Sequence, residues 1–209
     1  MNIQSYEDMG AVELDIIREI ASIGTGYAAT SLANMLGSEV RMTIPEINIL
    51  GYGETIDKMG DPEECIAAVL TQMSGDIEGI MLFMLRLDFI NEVLNKMLGR
   101  TVDSYEEMTE LEISMLTELG NIIISSYANA ISQLAGIEIR LSVPGVSVNM
   151  LGGILTVPMA EFGYVTDKLF LIDGQLLVDE KRLNSTLLML PEMASLNVLM
   201  QKLGAVYEG

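Results

Sequence analysis

Residues 15–45 read DIIREIASIGTGYAATSLANMLGSEVRMTIP, and residues 114–144 read SMLTELGNIIISSYANAISQLAGIEIRLSVP. Sliding the first stretch forward by 99 positions lays it on the second without a gap. Glu19, Ile23, Ala29, Gly37, Glu39, Arg41 and Pro45 then meet Glu118, Ile122, Ala128, Gly136, Glu138, Arg140 and Pro144. Most other pairs exchange like for like, as VRMTIP does against IRLSVP. A second match, LFMLRLDFINEVLNKMLG at 82–99 against LLMLPEMASLNVLMQKLG at 187–204, has an offset of 105. The chain is therefore an internal duplication, with about six extra residues in the second copy, expected in a loop around Asp173–Asn184.

Each copy reads as one unit. Apolar residues at helical spacing, such as Ile16, Ile20 and Ile23, or Met115, Leu119 and Ile122, predict long helices over about 12–36 and 110–134. Gly37 and Gly136 are natural helix stops. A strand follows each (EVRMTIP, IEIRLSVP), then a connection, then two hairpin strands. These are CIAAVLTQMSG and EGIMLFML in the first copy, and YVTDKLFLIDG and NSTLLMLP in the second. Shorter helices at about 88–97 and 193–202 close the copies. The expected fold is α+β: a single domain over 1–209 made of two pseudo-two-fold repeats, about 12–100 and 110–205, with two long helices packed on an antiparallel sheet.

Composition narrows the function. Thirty acids against 11 bases give a formal charge of −19, which repels phosphate backbones and anionic membranes. With no histidine, neither His acid–base chemistry nor His metal ligation is available. A single cysteine, Cys65, forbids an internal disulfide and fits a cytoplasmic setting. The uncharged stretch 141–160 is broken by Pro144, Gly145, Gly152, Gly153 and Pro158, and so reads as strand–short helix–strand, not a membrane span. Acids at 103, 106, 107, 110 and 112 suit the dipole of the helix that follows. Gly24 and Gly26 lack the rest of a phosphate loop and are expected to let the long helices approach.

On the second long helix Ser114 and Glu118 lie roughly 40° apart, and Glu118 and Asn121 roughly 60° apart, so all three share a face. Asp15, Glu19 and Ser22 do the same on the first. Such a stripe alone is ordinary amphipathic design. Its recurrence in both copies, each with a proline 23 residues beyond the third position, is not.

The pattern (Asp/Ser)-x3-Glu-x2-Asn-x22-Pro resembles the signature of the CheC/CheX/FliY chemotaxis phosphatases. Ser114, Glu118, Asn121 and Pro144 match it in full; Asp15, Glu19, Ser22 and Pro45 match all but one position. Two copies in about 200 residues are most similar to the CheC type. The resemblance implies a hydrolase whose substrate is the aspartyl phosphate of a CheY-type receiver. Mg²⁺ would sit in the receiver's own site, and no cofactor would be needed here.

Asn121 would orient the attacking water and Glu118 would pair with the receiver's lysine, supported by Ser114 and by the backbone shape that Pro144 sets. Hydrolysis of this kind needs mainly positioning. Ser22 lacks the carboxamide, so the first site should be weaker by ~10²-fold, about 3 kcal/mol, while Glu19 still docks. The resemblance also places a docking site for the receptor deamidase CheD on an expected short helix at 145–155, with Val146, Asn149 and Met150 as contacts. The rival expectation is a largely non-catalytic binding module for phospho-CheY or CheD.

Overall fold

The computed structural model describes residues 3–162, 168–179 and 181–207. Helix α1 (Ala11–Leu36) leads to strands β1 (Val40–Met42) and β2 (Glu46–Gly51), helix α2 (Tyr52–Met59), the hairpin β3 (Cys65–Gly75) and β4 (Gly79–Leu85), and helix α3 (Leu87–Leu98). The second copy repeats this order. It comprises α4 (Glu110–Ala135), β5 (Ile139–Leu141), β6 (Gly145–Met150), α5 (Leu151–Phe162), β7 (Lys168–Val178), β8 (Lys181–Pro191) and α6 (Met193–Tyr207). The expected α+β architecture of two related repeats is present.

Both long helices end as their sequences require. Gly37 and Gly136 adopt φ of 60° and 64°, a left-handed conformation that costs a residue with Cβ but not glycine. The helices start alike too. Glu13 accepts the amide of Gly10 at 2.9 Å, and Glu112 accepts the amide and hydroxyl of Thr109 at 2.6 and 2.8 Å. Ahead of each helix lies a short 3₁₀ turn, Tyr6–Asp8 or Tyr105–Glu107. The duplication thus extends upstream of residues 15 and 114, to SYEDMGAVEL at 5–14 and SYEEMTELEI at 104–113.

All eight described strands join one sheet in the order β1-β7-β8-β4-β3-β5, with β2 also on β7 and β6 also on β3. At its centre β4 and β8 run antiparallel, Phe83 opposite Leu187. Each repeat lends its first strands to the other. Glu46–Gly51 of the first pair with β7 of the second, and Gly145–Met150 of the second pair with β3 of the first. The tyrosines cross over as well: the Tyr6 hydroxyl donates to the Pro191 carbonyl at 2.7 Å, and Tyr105 donates to the Leu85 carbonyl at 3.3 Å. Neither repeat completes a sheet from its own strands.

Helices α1 and α4 pack on each other and on this sheet. The Tyr127 ring occupies the space a side chain at position 24 would need; a Cβ there would lie 2.7 Å from the ring. Thr25 Oγ1 and the Tyr127 hydroxyl meet at 2.9 Å beside it, and burial pushes the tyrosine pKa up. Gly24 therefore serves close helix packing, as expected. Gly26 does not, since a Cβ there would meet nothing within 4 Å.

Two expectations need correction. The stretch 141–160 is strand, strand, helix rather than strand–short helix–strand. Residues 145–150 pair with β3, and only from Leu151 does a helix begin, with Pro158 inside it. The amides of Leu151 and Gly152 donate to Glu64 and Pro62 carbonyls at 2.8 and 2.9 Å, which anchors the helix start. Finally, the extra residues of the second copy do not form a loop at 173–184. There β7 and β8 stay paired out to Val178 and Lys181, and further extra length goes into α5, 12 residues against 8 in α2.

Candidate functional site

The polar stripe of α4 is built on a close approach to the sheet. Gly120, between Glu118 and Asn121, sits against Val69 of β3, where a Cβ would fall 2.4 Å from the valine side chain. That contact holds this turn down while Glu118 projects outward, exposed. Neither Glu118 nor half-buried Asn121 has a hydrogen-bond or ion-pair partner among the described residues. An amide and a carboxylate one turn apart, both free of internal bonds, are available to an external ligand. The Ser114 hydroxyl donates to the Glu110 carbonyl at 2.8 Å, so it is tied into the helix and offers only acceptor capacity outward.

The stripe runs beside the helix–helix seam. A groove along that seam is lined by Tyr27, Thr30, Ile122, Ser125, Asn129 and Gln133, with Ser126 at its base. Ser125, which lines the groove, is about 20° around the helix from Glu118, while Asn121, on the stripe's other edge, is about 140° from Ser126. Asn121 is therefore turned to the flank where α4 meets β5 and β6, the strands that Pro144 connects. Pro144 is half-buried there, and Pro45 is buried in the matching connection between β1 and β2. By the pseudo-symmetry the two stripes lie on opposite flanks and form separate faces.

The first face differs in more than Ser22. Glu19 and Ser22 are exposed, but Asp15 is held by Arg18 at 2.5 Å. Thr117 stands at the position matching Arg18, so the second face has no such cation. The N-terminal anchor of α4 is also firmer. Glu112 is 1 % exposed and meets Arg100 at 2.9 Å; its hydrogen bonds from Thr109, more than the arginine, hold its pKa below the usual glutamate value. The acidic run thus contains a buried capping residue besides its dipole-favouring acids.

Val146, Asn149 and Met150 all lie on strand β6, not on the expected short helix. Alternation along a strand puts Val146 and Met150 on one face with Val148, and Asn149 on the other. The Asn149 carboxamide accepts the Met150 amide at 2.8 Å.

Four exposed apolar residues unflagged in the sequence recur at matching positions of the two repeats. Val12 and Leu111 are exposed in the first turn of α1 and α4, and Ile44 and Val143 are exposed immediately before the two prolines. The same 99-residue register, carried upstream, would have paired them.

The CheC-like family model matches residues 12–49 and 111–148, one segment in each repeat. The two repeated segments are CheC-like. The chain is 28 % identical over 197 residues to the CheY-P phosphatase CheC of Bacillus subtilis, covering 92 % of this chain and 94 % of that protein. It is 24 % identical over 147 residues to the flagellar motor switch phosphatase FliY of the same organism, across 70 % of this chain but only 38 % of FliY. In fold it is similar to Thermotoga maritima FliY, with a TM-score of 0.75 at 21 % identity over 95 % of this chain and 98 % of that one.

Proposed function

We propose that this protein is a cytoplasmic phosphatase of chemotaxis signalling that hydrolyses the aspartyl phosphate of a CheY-type response regulator. The observation that carries the reading is the unspent pair Glu118–Asn121 on an exposed helix face, within a chain whose repeats are CheC-like. Glu118 meets the receiver's active-site lysine and fixes the docking. The Asn121 carboxamide then accepts a hydrogen bond from water and aligns it with the phosphorus. The water oxygen bonds to phosphorus as the aspartyl P–O bond breaks, releasing carboxylate and inorganic phosphate, and the water's proton passes to the phosphate. The receiver supplies Mg²⁺ and the lysine charge; this chain supplies position. Ser114 and Pro144 shape the site, as Asp15 and Pro45 do for the first face, where Glu19 docks and Ser22 orients water poorly.

Catalytic amounts of the protein should accelerate loss of phosphate from phospho-CheY. Asn121→Ala should lower kcat ~10²-fold, about 3 kcal/mol, and Glu118→Gln should weaken docking. Undiminished hydrolysis by Asn121→Ala would sink this assignment.

A second reading, a non-catalytic binding module, is favoured at the first face by Ser22. CheD docking would use the apolar face of β6, where Val148 and Met150 are exposed beside half-buried Val146, because β6 pairs only with β3 among the described strands.

A further inference from the structure

Among the described residues the four most exposed large apolar side chains are Val143, Ile44, Val12 and Leu111, at 90, 86, 68 and 59 %. They form two pairs at the 99-residue spacing of the duplication, Val12 with Leu111 and Ile44 with Val143. Each pair member stands at the same place relative to a candidate face. Leu111 precedes Glu118 by seven residues, about 20° away around the helix, and so continues the stripe by one turn. Val143 immediately precedes Pro144, in the connection between the two strands that α4 packs against. Val12 and Ile44 bear the same relation to Glu19 and Pro45.

Side chains this exposed add little to the fold, so the fold alone gives no reason for apolar chemistry at all four positions. Around them the two faces have diverged: Arg18 against Thr117, Ser22 against Asn121. Charge says what the frame surrounds. Glu118 has no cation partner among the described residues, so the complementary surface is a lone cation set in apolar surroundings. The charge of −19 is spread over the chain and favours cations everywhere, so local apolar contact is what distinguishes these two faces from the rest of the surface.

We propose that Leu111 and Val143 form an apolar seat for the phosphorylated receiver at the second face, and that Val12 and Ile44 form its counterpart at the first. The proposal rests on the phosphatase reading above. Because the seat is kept in both repeats and the amide in only one, the chain docks two receivers and turns over mainly one.

The test compares steady-state hydrolysis of phospho-CheY with calorimetric binding of beryllofluoride-loaded CheY. In Leu111→Ser/Val143→Ser, KM should rise about tenfold or more, as expected for losing two buried aliphatic side chains, with kcat within about twofold of wild type. Wild type should bind two receivers per chain, and either this variant or Val12→Ser/Ile44→Ser should bind one at the same receiver concentration. Val198→Ser, an exposed apolar residue on α6, should change neither constant. An unchanged KM, or a loss confined to kcat, overturns the seat. So does a change in sedimentation without a change in KM, which would assign the residues to contact between copies of this chain. Wild type separates the two ideas: if catalytic amounts leave the decay of phospho-CheY unchanged the phosphatase reading falls, while receiver binding by the seat variants still decides the seat.

Discussion

At the scale of single residues, the two faces differ at three positions: Asp15 against Ser114, Arg18 against Thr117 and Ser22 against Asn121. Ser22 is exposed with no hydrogen-bond partner among the described residues, so nothing in the packing prevents a longer side chain there. Ser22→Asn should therefore fold as wild type and raise hydrolysis at the first face. Measured in an Asn121→Ala background, where the second face is silent, the gain should be at least about tenfold, part of the ~10² that a positioning group provides. No gain would show that Asp15, held by Arg18, or some other difference limits that face. Glu112 makes a different prediction. Its pKa is held down in the folded state, so its contribution to stability is full above the unfolded value and is lost as pH falls through the folded one. Glu112→Gln keeps the capping shape but not the charge. The stability gap between wild type and variant should be widest above about pH 4.5 and shrink below it, read by denaturant unfolding across pH. A gap constant with pH would contradict the role given to the charge.

At the scale of elements, the height of one helix turn above the sheet sets the second face. Val69 is fully buried and branched at Cβ, opposite Phe83 on β4 and Val146 on β6, so it cannot swing aside for a side chain at position 120. Gly120→Ala gains about 1 kcal/mol of helix propensity but forces the turn carrying Glu118 and Asn121 off the strand. Overpacking of this kind costs about 1–3 kcal/mol, and activity should fall with stability. Adding Val69→Ala should recover part of both, giving a favourable coupling of about 1 kcal/mol or more in a double-mutant cycle; simple additivity would rule out this contact. The long helices were legible because a 3.6-residue apolar period and a terminal glycine are local signals. The second strands were not. Gly145–Met150 reads as a strand only because β3, some 75 residues earlier, offers it an edge, and that partner leaves no mark in the local sequence. The expected short helix under Val146, Asn149 and Met150 is therefore a strand. The stripes survived because they lie on the elements whose periodicity was clear. Val12 and Leu111 were legible in principle, one turn upstream of where the repeat was first matched.

At the scale of the whole molecule, the exchange of first strands makes the two faces depend on each other. Pro144 sits between β5 and β6, and both strands hydrogen-bond to β3 of the first repeat. Pro45 in turn depends on β7 of the second. The second face is thus framed partly by the first repeat. A chain cut between Asp103 and Ser104 tests this. The first half keeps Val102 clamped to Asn91, whose side chain accepts the Val102 amide at 2.8 Å and donates to its carbonyl at 2.9 Å. The second half begins with its own 3₁₀ turn. Separately, each half has a central strand, β4 or β8, without its neighbour, and outer strands with no sheet to join. Such edges leave backbone groups unpaired and invite aggregation. Each half alone should show no cooperative unfolding as a monomer. Mixed one to one, the halves should recover a single cooperative transition and hydrolysis of phospho-CheY together, because the strand exchange that completes the sheet also completes the face. If the second half alone folds cooperatively as a monomer and hydrolyses phospho-CheY, the crossed sheet is not what supports the site.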